Sequence, residues 1–144
     1  MRDLSHELDY AALLFGPWQK LTALGGRLGN LDINSDDAYT LIMKTERSPL
    51  VAIHMNYLDQ NPHREIKITT NQKSIHIDLI KNRLMVNNKQ KTYEVNRDDT
   101  YRSQHELMLK GETQTLCSFK EAMDTLITIE AAEKAASSNT WITR

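Results

Sequence analysis

The stretch DAYTLIMKTERSPLVAIHMNYL, residues 37–58, decides the fold. Apolar side chains alternate through Tyr39, Leu41 and Met43, and again through Val51, Ile53, Met55 and Tyr57. A period of two belongs to a half-buried strand, because successive side chains leave opposite faces of the backbone. Between the two runs, Ser48-Pro49 supplies turn chemistry. The alternation recurs in REIKIT (Ile66, Ile68) and SIHIDLI (Ile75, Ile77, Leu79), with shorter runs at RLMV and TYEV. Asn61-Pro62, Asn71-Gln72, Lys81-Asn82 and Asn87-Asn88 punctuate them. Links this short hold no crossover, so the strands are predicted to be antiparallel neighbours in one meander. Upstream, WQKLTALGGRL reads as a further strand, with Gly25-Gly26 marking a bulge or a close approach.

Outside this block the period is helical. Leu4, Leu8, Ala11, Ala12 and Phe15 fall on one face, Gly16-Pro17 ends the run, and Ser5 or Asp3 is the expected cap. DDTYRSQHELMLKG has acids at its start, a glycine at its stop, and Tyr101, His105 and Met108 in register. SFKEAMDTLITIEAAEKAA opens with Ser118 and Glu121 in capping-box spacing, and its apolar stripe is expected along Ala122, Leu126 and Ile129. TWITR is a candidate final strand. No repeat, low-complexity tract or linker divides the chain. The expectation is a single α+β domain over residues 1–144, an open, mostly antiparallel sheet with helices packed on one face. The sheet's other face would carry Leu50, Ala52, His54 and Asn56, with His76, Asp78 and Ile80. Such a mixed row suits an association surface.

Composition narrows the function classes. The 144 residues hold 18 basic and 19 acidic side chains. That near-balance offers no basic footprint for nucleic acid and no polybasic run for a membrane surface. Cys117 is the one cysteine, which excludes an intramolecular disulfide and a cysteine-cluster metal site. With no bilayer-length apolar run and no signal-peptide pattern at MRDLSHELDY, a cytoplasmic location is expected.

Few residue groups carry chemistry. Asp3 and His6 stand three apart and share a helix face, so the carboxylate could orient an acid/base imidazole. A solvated helix start, where acids favour the positive end of the dipole, explains the same spacing. His54, His63, His76 and His105 follow no metal-ligand spacing, and no metal site is expected; His54 and His76 read as sheet-face residues. YLDQNPHRE carries Tyr57, Gln60, Asn61, His63 and Arg64 between strands. That set suits sugar or anion recognition and equally an ordinary connection cornered by Pro62. LGGRLGN lacks the strand–turn–helix order and the downstream acid of a dinucleotide loop. Cys117 precedes a helix start that could lower its pKa, or it is a small packing residue.

RDLSHELDYAALLFG, followed by LTALGGRLGNLDINSDDAYTLIMK and VAIHMNYLDQNPHREIKI, resembles the C-terminal domain of the Gfo/Idh/MocA family, the glucose-fructose oxidoreductase and inositol dehydrogenase type. The likeness continues through TYRSQHELMLKGETQTLCSFKEAMDTLITIEAAEKAASSNTW and so covers essentially the whole chain. It implies half of an enzyme. Members join an N-terminal Rossmann domain, with its glycine fingerprint and a Glu-Lys-Pro lysine, to a C-terminal α+β domain. This sequence contains neither motif. The resemblance assigns the catalytic pair to His6 and Asp3, the acid lying three positions before the histidine where many members place it four before. It implies substrate contacts from Asp9, Tyr10, Tyr57 and Arg64. No cofactor would be bound by this segment, NAD or NADP belonging to the intact enzyme. A sugar, polyol or nucleotide-sugar is the implied substrate, turned over only with the Rossmann domain. Self-association through the open sheet is expected, with no nucleic-acid or membrane partner. The alternative reading is an autonomous, non-catalytic binding or structural module with the same fold. A small standalone enzyme using His6 with Glu7 or Asp9 is the third.

Overall fold

The computed structural model describes residues 5–144, so Asp3 and the rest of residues 1–4 lie outside it. In chain order the elements are α1 (Ser5–Phe15), β1 (Trp18–Gly26), β2 (Ala38–Thr45), β3 (Val51–Asn56), β4 (Glu65–Thr69), β5 (Ser74–Asp78), β6 (Arg83–Val86) and β7 (Lys89–Thr92). Then come α2 (Asp99–Lys110), a 3-10 turn (Thr113–Thr115), α3 (Phe119–Ser138) and β8 (Ile142–Thr143). All pairings are antiparallel.

The strands form two sheets, where the sequence suggested one meander. The first runs β3-β2-β1-β8 and the second β4-β5-β6-β7. The break falls at YLDQNPHR, where β3 and β4 do not pair. Asn56 closes a local turn there, its Oδ1 accepting from the N–H groups of Leu58 and Asp59 at 2.8 Å each. That turn diverts the chain from a hairpin path. The chain divides accordingly into two compact units: described residues up to Asp59 with Cys117–Arg144, and Gln60–Leu116.

The first unit carries the core. Leu21, Ala23, Tyr39, Leu41, Met43, Val51 and Met55 line the inner face of its sheet, and Ile129, Ala131, Ala132 and Ala135 of α3 close over them. α1 adds Leu8, with Ala11 also buried. The stripe of α3 is displaced from the expected one. Thr125, Thr128 and three alanines join Ile129 inside, while Leu126 and Met123 stay exposed. Small side chains let the helix lie close to the sheet, and Thr128 returns its hydroxyl to the Asp124 carbonyl at 2.7 Å. Gly25 is a close approach: a Cβ there would stand 2.5 Å from the Ala38 carbonyl oxygen and 2.5 Å from the Tyr39 ring. The register shift of β1 lies instead between Trp18 and Lys20.

In the second unit Ile66, Ile77 and Leu84 share one cross-strand row, and Ile68, Ile75 and Val86 the next. All six are half-buried. α2 is formed as expected and stopped by Gly111 in the left-handed conformation, yet none of its residues is buried. No helix among the described residues is long and apolar enough to cross a membrane.

Candidate functional site

α1 brings three of the sequence-predicted residues together. His6, Asp9 and Tyr10 stand at i, i+3 and i+4, so they occupy one side of the helix. His6 is exposed, whereas Asp9 and Tyr10 are half-buried. The acid found beside the imidazole is Glu7, whose Oε2 lies 3.2 Å from His6 Nε2. Asp3, the expected partner, lies outside the described residues. Asp9 faces the start of α3: Cys117 Sγ donates to its Oδ1 at 3.8 Å. Burial raises the thiol's pKa, and the neighbouring Asp9 and Glu121 carboxylates add to the effect. Cys117 is therefore a poor nucleophile, and the helix start does not activate it.

Tyr57 and Arg64 belong to other segments than α1. Tyr57 leaves β3 with its ring exposed, its N–H donating to the Asp37 carbonyl at 2.9 Å. Arg64 belongs to the second unit, where its carbonyl accepts from the Leu79 N–H at 2.9 Å. His63 Nδ1 lies 3.3 Å from its neighbour's carbonyl, that of Asn61, in the same connection.

The glycine-bearing loop after β1 is a poor nucleotide cradle. Buried Asp37, 1 % exposed, accepts from the N–H groups of Leu28 at 2.7 Å and Gly29 at 2.8 Å. The Leu28 bond, with that of Gly29, holds the carboxyl below its ordinary range against the opposing effect of burial. A phosphate needs such amides free and no carboxylate in the nest. These residues do not fit a dinucleotide, and none of the described residues forms a group of three or more that could hold a metal ion.

The Glu7–His6 contact joins two residues that the standalone-enzyme alternative had named together, from adjacent positions rather than across a helix face. Sequence reasoning missed two other parts of this picture. Asp37 is one of two consecutive acids, and nothing in the pattern separates it from Asp36. On the sheet's outer face, exposed His54 is tied at both ring nitrogens, with Thr40 Oγ1 at 2.8 Å from Nδ1 and Asn56 Nδ2 at 2.9 Å from Nε2. Its alternation with Asn56 was the available signal. Asp78, expected beside His76 on the outer row, is 5 % exposed because the Ile80 and Lys81 N–H groups and Arg83 draw it into its turn.

No protein-family model matches the sequence, and no curated protein matches it. Solved structures do match in fold. The WlbA dehydrogenase of Bordetella pertussis, crystallised with NADH and UDP-GlcNAcA, superposes with a TM-score of 0.77 at 18% identity, over 99% of this chain and 46% of its own. Levoglucosan dehydrogenase matches at 0.81 and 12% identity, over 96% of this chain and 49% of its own. UDP-N-acetylglucosamine 3-dehydrogenase GnnA from Acidithiobacillus ferrooxidans matches at 0.74 and 16%, over 93% and 45%. The chain thus spans less than half the length of these enzymes. Its fold is that of the C-terminal domain of Gfo/Idh/MocA-type oxidoreductases.

Proposed function

We propose that this chain is the substrate-side domain of an NAD(P)-dependent oxidoreductase acting on a sugar, polyol or nucleotide-sugar in the cytoplasm. The observation that carries the reading is the match of nearly the whole chain to under half of several sugar and nucleotide-sugar dehydrogenases. In this reading His6, with Asp3, exchanges a proton with the substrate hydroxyl, while Asp9, Tyr10, Tyr57 and Arg64 hold the sugar. That Asp37 takes up the Leu28 and Gly29 amides supports a dinucleotide held on a separate lobe. The isolated domain is then inactive, and its open sheet face, with Leu24, Ile42 and Leu50 exposed, supports self-association.

The test joins this chain to the sequence encoded immediately upstream and follows reduced-cofactor fluorescence with a panel of UDP-sugars. Turnover in the joined protein and none in the 144-residue chain is expected. His6→Ala should lower kcat by about 10²–10⁴, the usual worth of a positioned acid/base. Undiminished turnover in that variant would overturn the assignment of His6. Light scattering of the 144-residue chain over a concentration series tests the association, and a strict monomer at every concentration would refute it.

A further inference from the structure

We propose that His54 is a proton-operated latch on the turn through which the chain leaves the first unit. This inference stands independently of the oxidoreductase reading.

Asn56 Oδ1 accepts from the backbone N–H groups of Leu58 and Asp59, which fixes the amide's orientation. Its Nδ2 therefore points away from the turn, donating to His54 Nε2 at 2.9 Å and Asp59 Oδ2 at 3.0 Å. An amide nitrogen only donates, so His54 Nε2 must be the acceptor. The ring proton then sits on Nδ1 and is donated to Thr40 Oγ1. This is the tautomer opposite to the one a solvent-exposed histidine side chain favours in water.

A second proton breaks the arrangement. It can bind only at Nε2, where it faces the Asn56 Nδ2–H group, donor against donor. Rotating the amide relieves that clash only by turning Nδ2 toward the two backbone N–H groups. Keeping the amide in place costs Asn56 its bond to His54, and rotating it costs the two bonds that close the turn; in both cases the turn at residues 56–59 loses support. Asp59, on the other side of the same Nδ2, is the carboxylate placed to attract the imidazolium. Thr40 on β2 is the direct cross-strand partner of His54, with Leu24 of β1 beyond it, and Lys44 and Lys20 lie further along the same outer face. The turn ends at Asp59, and the second unit begins at Gln60, so the latch acts where one unit hands the chain to the other.

The test uses the 144-residue chain labelled with ¹⁵N. Above the ring's titration, its nitrogen shifts should report the Nδ1–H tautomer at His54. Through that titration, exchange of the Leu58 and Asp59 amides, corrected for intrinsic pH dependence, should rise roughly fivefold, as loss of one net hydrogen bond implies. In His54→Gln, whose side-chain oxygen can accept from Asn56 at any pH, the rise should vanish. Asn56→Ala should return the ring to the ordinary tautomer. Should that variant not fold, Thr40→Val removes the Nδ1–H acceptor and should do the same. An Nε2–H tautomer in the wild-type chain, or amide exchange unchanged while the ring titrates, would overturn the proposal.

Discussion

The two units solve the same architectural problem with different means. Each is built on a four-stranded antiparallel sheet, and each fastens a turn to a buried aspartate that accepts backbone N–H groups, Asp37 in the first and Asp78 in the second. The first unit has a dry interior, with Leu21, Leu41, Ala132 and Ala135 at 0 % exposure. In the second, Asp78 is the only buried residue. Its six aliphatic sheet residues stay half-covered, so its cohesion rests more on ladder hydrogen bonds and on ion pairs such as Asp78–Arg83 and Glu65–Lys67. The Glu65–Lys67 pair lies at the surface, where such pairs contribute little. Burial is the dominant stabilising term in folding, so the units should differ in how readily they open.

Core truncation breaks the comparison most sharply. Leu41→Ala removes a wholly buried side chain and should cost about 2–5 kcal/mol, read as a lowered midpoint in denaturant. Ile77→Ala, at a half-buried site, should cost less than half as much. Equal losses would show that the second unit has a core as effective as the first. Native-state hydrogen exchange gives the same contrast without mutation, with β5 and β6 amides exchanging through smaller openings than those of β1 and β2.

Glycine replacement sharpens it. At Gly25 a new Cβ meets the Ala38 carbonyl oxygen, which is backbone and cannot step aside. Gly25→Ala should cost roughly 1–3 kcal/mol as overpacking. Gly111 ends α2 at φ +74°, and a Cβ there meets nothing within 4 Å. The cost of Gly111→Ala is then left-handed strain alone, roughly 1 kcal/mol, and falls on a unit with less to lose.

The fold was legible where one physical signal dominated. Alternation located β2 to β5 because each has one covered and one open face, and Ser118 with Glu121 marked the start of α3 because the capping box is a local motif. The sheet break was hidden, since a run such as YLDQNPHR reads the same whether its flanking strands pair or part. The α3 stripe was misplaced because threonine counts as polar in a pattern, yet Thr128 can be buried once its hydroxyl bonds back to Asp124. At the candidate site, helical spacing pointed to His6 and the family resemblance to Asp9 and Tyr10, and α1 carries all three. The Cys117–Asp9 contact was not, because it joins positions 108 residues apart.

Acid should act on both units through their anchoring carboxylates. The Leu28 N–H holds Asp37 below its ordinary range, and the Lys81 N–H, with the Lys81 and Arg83 charges, does so for Asp78; burial opposes both. A carboxyl depressed in the folded state adds stability that is complete above the unfolded value, about pH 4. That stability is lost as the pH falls through the lower folded value. Asp37→Asn should flatten the pH dependence below about pH 4 when unfolding is followed by the buried Trp18. Asp78→Asn should leave that signal's slope intact and flatten the one read from β5 and β6 amides.

The smallest effect separates the helices of the two units. Ser118 Oγ accepts from the Glu121 N–H at 3.3 Å while Glu121 Oε2 accepts from the Ser118 N–H at 2.7 Å, so two N-terminal donors of α3 are satisfied reciprocally. At α2 the cap residue Asp98 makes no side-chain cap bond, and Asp99 accepts instead from the Asn96 N–H. Ser118→Ala should therefore destabilise the first unit by about 1 kcal/mol. Asp98→Ala should change stability by less than about 0.5 kcal/mol, although both residues occupy the same position relative to their helices. Identical losses in denaturant unfolding would mean that residue type sets the cap's worth. Unequal losses would show that the bond it makes does, and that α3 is fastened at its start where α2 is not.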